Sequence, residues 1–168
     1  MALKENQEFL KKWRAWAARQ GPYLRVKRDL FDCPGYSRVD GSAHIIKDQG
    51  FIFLFPGGLD SGPAVGERAL ASPKITRASI ILNRWLGLAE NAGARFKITE
   101  VYPRENKVVG IYRYAEEFQY DMPHDLAVIL ALEPAKSAEK VGRTALRAPA
   151  ESVVVVNAFS STVPSPQE

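Results

Sequence analysis

The stretch Gly41–Phe55, GSAHIIKDQGFIFLF, decides the fold class of this chain. It predicts a β-hairpin, because the turn at residues 47–50, Lys-Asp-Gln-Gly, separates two short runs of strand composition. Side chains alternate across a strand, so the three phenylalanines of Phe51–Phe55 face one way while Ile52 and Leu54 face the other. Both faces of this strand are apolar, and we expect both to be covered.

The residues before the hairpin predict one amphipathic helix over residues 4–20. Apolar side chains recur there at three- and four-residue spacing, and lysines and arginines occupy the opposite side. We expect Gly21-Pro22 to end this helix. A helix this short needs a docking surface in water, so it is predicted to lie against a sheet. The apolar stripe consists of Phe9, Leu10, Trp13, Trp16 and Ala17.

From Tyr23 onward, short runs of strand composition alternate with turn clusters, a rhythm typical of an all-β fold. Residues 126–132 are apolar on both faces, which indicates a central strand. Trp85–Leu88 predicts a short helical or irregular connection. The predicted strands are Leu24–Leu30, Ser42–Lys47, Phe51–Phe55, Lys74–Leu82, Arg95–Tyr102, Val108–Tyr114, Glu117–Asp121, Leu126–Leu132 and Ser152–Phe159.

The fold class that follows is an all-β, antiparallel β-sandwich with Greek-key-like connections and one N-terminal amphipathic α-helix. We divide the chain into the helix at 1–22, the sandwich at 23–135, and a linker with an extra strand at 152–159 and a disordered tail within 136–168. The valine run 153–156 is an aggregation hazard if it stays unpaired. We therefore expect it to join an existing sheet edge or to pair with another chain.

The amino-acid composition limits which classes of protein this chain can belong to. The chain has 168 residues and is 46% hydrophobic, enough for one domain with a sizeable core. No apolar run approaches the roughly 20 residues that cross a bilayer, and the first residues lack the apolar segment of a signal peptide. We therefore expect a soluble protein with no membrane partner, and leave its compartment open. The single cysteine, Cys33, excludes an internal disulfide.

The positive charge is concentrated at the front of the chain. Residues 1–40 contain nine Lys/Arg and five Asp/Glu, which accounts for the whole net charge of +4. Lysines and arginines normally occupy the solvent-exposed face of an amphipathic helix. We therefore predict no nucleic-acid partner.

The loop at residues 56–62, Pro-Gly-Gly-Leu-Asp-Ser-Gly, directly follows the aromatic strand. It resembles the pyrophosphate-binding loop of ATP pyrophosphatases, in which Ser-Gly-Gly-x-Asp-Ser joins a strand to a helix. Here Pro56 replaces the leading serine, and Gly62-Pro63 stands where the helix should begin. Nucleotide binding at Gly57–Ser61 is kept as an alternative to a flexible turn.

The chain offers no catalytic constellation of its own. His44, His124, Asp125 and Cys33 have no metal-binding spacing, so we predict no metal and no cofactor. The adjacent Glu116-Glu117 point to opposite faces of a strand, unlike the paired carboxylates of a glycosidase. We assign no catalytic residue.

Aromatic residues at alternating positions suggest one binding surface. Aromatic rings that recur with period two on a sheet can stack on sugar rings. Packing between neighbouring strands explains the same spacing and is the interpretation we favour. The residues of this candidate carbohydrate platform are Tyr112, Tyr114, Phe118 and Tyr120.

Four segments carry a family resemblance: RDLFDCPG at 28–35, DGSAHIIKDQGFIFLF at 40–55, ITEVYPRE at 98–105 and YRYAEEFQYDMPHDLAVILALEP at 112–134. Together they resemble the C-terminal antiparallel β-sandwich of α-galactosidase-type glycoside hydrolases, over about residues 9–135. The resemblance implies a parent protein in which a (β/α)8 barrel carries catalysis, its last helix leads into the sandwich, and the sandwich packs on the barrel.

The resemblance leads to a functional hypothesis: a non-catalytic accessory domain, truncated or separately encoded, that braces a barrel domain or chain and contacts glycan. A free-standing carbohydrate-binding module is the alternative of another class, and self-association stays open. We expect no enzyme activity from this chain alone, because the barrel is missing. The residues predicted to pack on a partner are Phe9, Trp13, Trp16, Ile52 and Leu54.

Overall fold

A computed structural model of the chain describes residues 2–31, 39–56, 75–123, 126–136 and 153–157. Helix α1, Ala2–Arg19, is followed by the short α2, Gly21–Leu24, and a 3-10 helix spans Arg84–Leu86. The strands are β1 Arg28–Asp29, β2 Asp40–Ile46, β3 Gln49–Phe55, β4 Ile75–Ile81, β5 Arg95–Tyr102, β6 Lys107–Arg113, β7 Glu117–Pro123, β8 Val128–Pro134 and β9 Val153–Asn157.

The strands form two sheets that share one core. The first sheet has the order β1-β2-β3-β8-β5-β6 and the second has the order β7-β4-β9. Every pairing is antiparallel except that of β4 with β9. Because β8 inserts between β3 and β5, the first sheet is not a simple meander. The predicted class, an antiparallel sandwich with an N-terminal helix, is confirmed.

The hairpin of β2 and β3 closes through a two-residue turn. Ile46 pairs with Gln49, and Lys47 and Asp48 between them have φ angles of 50° and 65°. Positive φ at both positions gives the turn the twist that the flanking strands require. The Asp48 carboxylate also accepts a hydrogen bond of 2.6 Å from the backbone N–H of Ala89.

One face of β3 is covered by the second sheet. Ile52 and Leu54 are completely buried and belong to the same core as Ala78 and Ile80 of β4 and Phe118 of β7. The prediction that Ile52 and Leu54 pack on a partner is therefore wrong, since the chain's own second sheet occupies that side.

Helix α1 lies on the opposite face of β3. The Trp16 ring lies 5.0 Å from that of Phe51 and 6.4 Å from that of Phe53, measured between ring centroids. Tyr23 of α2 adds an edge contact to Phe51 at 5.7 Å. The expectation that the helix docks on a sheet is confirmed. The phenylalanine face of β3 is covered only in part, because Phe51 is buried whereas Phe55 is 43% exposed. No helix in the described part of the chain is long and apolar enough to cross a membrane.

The segment after α1 differs from the prediction. Gly21-Pro22 ends α1 but also opens the extra turn α2, because proline is compatible with the first turn of a helix. Leu24 consequently belongs to α2, and the predicted strand Leu24–Leu30 shrinks to the two residues of β1.

Strand β9 lies parallel to β4 at the edge of the second sheet, with Val153 opposite Ile75 and Asn157 opposite Ser79. The expectation that the valine run joins an existing sheet edge is confirmed. The described part of this strand, Val153–Asn157, lies within the predicted Ser152–Phe159.

A β-bulge in β5 redirects its last side chain. The pairing of β5 with β8 shifts register between Glu100 and Tyr102. Such a bulge places an extra residue in one strand and reverses the alternation beyond it. Glu100, before the bulge, faces the core in phase with Phe96 and Ile98, whereas Tyr102, after it, lies on the α1 side of the sheet.

A substitution at Gly50 tests whether the hairpin requires glycine at this position. A Cβ atom at this position, whose φ is 155°, would lie 2.0 Å from the carbonyl oxygen of His44. We expect Gly50→Ala to lower the free energy of unfolding by about 2–4 kcal/mol, measured by urea denaturation. Gly93→Ala is the control, because its Cβ would meet its nearest atom only at 3.4 Å. Equal stabilities of the two variants would contradict this role of Gly50.

Candidate functional site

An apolar groove runs between helix α1 and the outer face of the first sheet, and it holds about 360 Å³ of open space. Phe9 and Trp13 of α1 form one wall. The floor and the far end consist of Phe53, Phe55, Ala127, Ile129 and Tyr102. The groove therefore joins a helix to three neighbouring strands, β3, β8 and β5.

Strand register explains why these side chains meet. Phe53 lies opposite Ile129, and Ile129 lies opposite Tyr102, so the three form a row across the sheet. The bulge before Tyr102 is what brings that ring to this face. On the helix, Phe9 and Trp13 are one turn apart and share a face.

Ring contacts fix the wall of the groove against the sheet. Trp13 meets Tyr102 edge-on at 5.4 Å, and Phe9 meets the same ring at 6.4 Å. Lys12 forms an ion pair with Glu105 in the loop that follows β5, which adds a second tie between the helix and the sheet. The wall is thus built from contacts within the chain itself.

The groove remains accessible at its rim. Phe9 is 49% exposed and Phe55 is 43% exposed, and Leu126, next to the floor residue Ala127, is also exposed. Single exposed apolar residues are ordinary, whereas a contiguous cluster around a groove indicates a binding surface. Trp13 and Trp16 are only half-buried. Three of the residues predicted to contact a partner lie on α1. Phe9 and Trp13 line the groove, and Trp16 packs beside it on Phe51.

Positive charge lies on the side of α1 that points away from the groove. Helix α1 carries five Lys/Arg and two Glu, and both glutamates precede Phe9. Lys11 and Arg14 stand beside the exposed Leu10 in a shallow concavity on the same helix. At 3.6 residues per turn, Lys11 and Arg14 point away from Phe9 and Trp13, so this concavity is separate from the apolar groove.

A second feature, a buried polar cluster, was missed by the sequence reasoning. The Glu100 side chain is completely buried, and its carboxylate accepts hydrogen bonds from Arg104 Nε at 2.9 Å, from the Arg104 backbone N–H at 3.0 Å and from the Tyr120 hydroxyl at 2.9 Å. The sequence did contain a signal for Glu100. It follows Phe96 and Ile98 at two-residue spacing, which places its side chain on the core face of β5.

The protonation states of this cluster follow from its surroundings. Burial raises the pKa of Glu100, but the hydrogen bonds from Arg104 and Tyr120 outweigh burial and leave that pKa below its ordinary value. Burial, helped by the Glu100 carboxylate, raises the pKa of Tyr120 to about 12. Glu100 is therefore ionised and Tyr120 protonated at neutral pH.

This cluster fits a structural role better than a catalytic one. The cavity beside it holds about 30 Å³, enough for one water. Both carboxylate oxygens of Glu100 already accept hydrogen bonds. Since Glu100 belongs to the first sheet and Tyr120 to the second, the cluster ties the two sheets together.

Ser42 and His44 form a second buried polar pair, with Ser42 Oγ 3.0 Å from His44 Nε2. The other ring nitrogen, Nδ1, has no hydrogen-bond partner. Burial lowers the pKa of His44 by more than the backbone groups of Tyr23 and Val26 raise it, and the positive charge of Lys27 also lowers it. The described residues include no group of three side chains that could hold a metal. Cys33, His124 and Asp125 lie outside the described residues, as does the loop Gly57–Ser61.

The predicted carbohydrate platform is not an exposed surface. Phe118 and Tyr120 are 1% and 3% exposed, so neither ring can stack on a glycan. Tyr112 folds over Gly110 and contacts Phe118 at 5.5 Å, and Tyr114 packs against the core. The platform prediction is wrong, because the period-two aromatics face the interior between the sheets.

The raised pKa of Tyr120 predicts that the folded state loses stability at alkaline pH. The folded chain holds the Tyr120 proton up to about pH 12, whereas an unfolded tyrosine releases it near pH 10. The folded state therefore binds more protons between these values, and its stability falls as pH rises through them, by about 2–3 kcal/mol. Urea denaturation from pH 8 to 12 should show this loss in the wild type and not in Tyr120→Phe. Tyr114→Phe is the matched control, and a wild-type-like loss in Tyr120→Phe would disprove the assignment.

The lowered pKa of His44 predicts that the folded state loses stability at acidic pH. Its pKa is lowered in the folded state, so the unfolded chain takes up the proton first as pH falls below about 6.5. The free energy of unfolding should decline below that pH, with a slope of at most about 1.4 kcal/mol per pH unit. His44→Gln should remove the slope, whereas His124→Gln should keep it. The opposite pattern would assign the effect to His124.

Comparisons of the chain with protein-family models, with curated proteins and with solved structures found no match. The resemblance of residues 9–135 to the sandwich of α-galactosidase-type enzymes therefore remains a prediction. Function has to be argued from the groove and from the surfaces around it.

Proposed function

We infer that the chain is a non-catalytic accessory domain that braces a partner protein through the groove beside α1. The observation that carries this proposal is the cluster of aromatic and aliphatic side chains left accessible around a preformed groove, with Phe9 and Phe55 at its rim. Aromatic residues in such positions dominate the binding energy of protein interfaces.

The composition of the groove favours a protein partner over a glycan. Its lining residues are all apolar or aromatic, and the only polar side-chain groups among them are the Trp13 indole N–H and the Tyr102 hydroxyl. A sugar presents many hydroxyl groups that need hydrogen-bond partners when they leave water. An apolar protein surface has no such requirement, so it fits this groove better.

The family resemblance supplies the class of partner. It implies that a sandwich of this kind packs on a (β/α)8 catalytic barrel of a glycoside hydrolase. Such a barrel is surrounded by helices that can offer apolar side chains to the groove. We assign the chemistry of the complex to that barrel and no catalytic residue to this chain.

Co-expression with a barrel tests this function. The tagged (β/α)8 domain of an α-galactosidase-type glycoside hydrolase, without its own sandwich, is produced alone and together with this chain. We expect the chain to co-purify with the barrel and to raise its soluble yield and melting temperature, because binding to the folded barrel stabilises it. Calorimetry of the purified partners gives the affinity.

Variants at the rim make this test specific. The double variant Phe9→Ser/Phe55→Ser should bind about tenfold more weakly or worse, because it removes two exposed anchors. Trp85→Ser is the matched control, because Trp85 is 57% exposed and does not line the groove. Failure of the wild type to co-purify, or equal binding by the double variant, would refute the proposed function.

A further inference from the structure

We propose that two copies of this chain associate through strand β9, pairing the two β9 strands antiparallel across a twofold axis. The proposal goes beyond the accessory function, because the groove beside α1 belongs to the first sheet and β9 belongs to the second. Three properties of the described residues support it: the second edge of β9, the composition of the four edge strands, and the closure of the assembly at two copies.

Strand β9 uses only part of its hydrogen-bonding capacity within the described part of the chain. All five of its residues pair with β4, and no described strand lies on its other side. The backbone N–H and C=O groups of a strand point to its two sides in turn, so about half of those in β9 point away from β4. These groups form an edge that another extended strand can join.

Each of the other three edge strands has a feature that discourages such pairing. Strand β1 is only two residues long, and both residues are charged and exposed. Strand β6 has a lysine and an arginine at its ends, and β7 contains two acidic residues and a proline. Short length, charge and proline are the usual protections of a sheet edge. Strand β9, with the sequence Val-Val-Val-Val-Asn, is the one edge strand among the described residues that has none of them.

The composition of β9 favours a second β9 as the strand that joins it. An uncharged, β-branched edge is compatible with an identical one, whereas the charged residues of β1, β6 or β7 would lose water beside it. Antiparallel pairing centred on Val155 matches all five residues of both strands. It places Val154 opposite Val156 of the second copy, and Val153 opposite Asn157. Both copies contribute the same edge, as a twofold contact requires.

The assembly closes at two copies. Pairing joins the two three-stranded sheets into one six-stranded sheet with the order β7-β4-β9-β9-β4-β7. Strand β7 forms both outer edges of this sheet, and there Glu117, Asp121 and Pro123 oppose further addition. The product is therefore a dimer and not a fibre. A contact of five residues is about 17 Å long and small beside stable interfaces of about 1,200–2,000 Å², so the dimer should dissociate on dilution.

Charge at the centre of the contact tests the pairing on the full chain. Val155 lies opposite Arg77 of β4, whereas the neighbouring register position lies opposite the buried Ala78, so the core-facing positions stay unchanged. The test variants are Val155→Lys and Val155→Glu, and Val155→Thr is the neutral β-branched control. Gln119→Lys and Gln119→Glu place the same charges on the exposed side of edge strand β7. Sedimentation velocity over about a hundredfold range of concentration, up to high micromolar, measures self-association.

We expect the wild type to form a dimer as its concentration rises. Val155→Lys and Val155→Glu should each weaken the dimer about tenfold or more, because like charges meet at the axis. An equimolar mixture of these two variants should recover a dimer, since opposite charges then meet. Val155→Thr, both Gln119 variants and Phe9→Ser/Phe55→Ser at the groove should dimerise like the wild type. Circular dichroism and thermal unfolding verify that each variant is folded.

Several results would overturn the proposal: a wild type that stays monomeric, assembly beyond two copies, charge variants at Val155 that dimerise normally, or a mixture that fails to recover the dimer. Exchange of β9 between copies would give normal dimers of the charge variants, because the exchanged strands would lie on β4 and not on each other. Loss of the dimer in Phe9→Ser/Phe55→Ser would assign self-association to the groove. A barrel that fails to bind leaves the dimer standing, and a monomeric chain leaves the proposed function standing.

Discussion

Strand β3 is apolar on both faces, and this constraint shapes the rest of the structure. Because its side chains alternate, Ile52 and Leu54 require one layer and the phenylalanines require another. The second sheet supplies the first layer and α1 supplies the other. These two layers cover unequal areas. Six strands about 4.8 Å apart form a sheet roughly 24 Å wide, and one helix about 10 Å across spans about two of them. A partly covered outer face, and hence a groove beside α1, follows from this mismatch.

Local patterns predicted the elements well where periodicity was clear. The hairpin, the docking of the helix and the addition of the valine run to a sheet edge all follow from apolar spacing or from the cost of an unpaired edge. The segment after α1 could not be read in the same way, because Gly21-Pro22 ends one helix and opens another. Period two also shows which residues share a face without showing which face is covered. That is why Tyr120 and Phe118 looked available to a glycan although both lie between the sheets.

Features that depend on distant parts of the chain were beyond the sequence. Glu100 stands at a core-facing position of β5, which marks it as unusual, but its partner Tyr120 belongs to the other sheet and Arg104 follows a bulge. The same bulge turns Tyr102 toward α1, against strict alternation, and so completes the groove. A shift of one residue in a single strand thus places an aromatic ring in the candidate site, directly after a carboxylate that regular alternation places in the core. Hydrophobic spacing carries no signal for it.

The groove is suited to binding because it is made from the folding contacts themselves. Its wall is held to the sheet by the contacts of Trp13 and Phe9 with Tyr102, and its floor consists of strands that are paired on both sides. Little has to be ordered when a partner arrives, so more of the interaction free energy remains as affinity. The aromatic rings that dock α1 and the rings left exposed at the rim belong to one continuous face. The helix is therefore both the cover of the sheet and one side of the surface that a partner would complete.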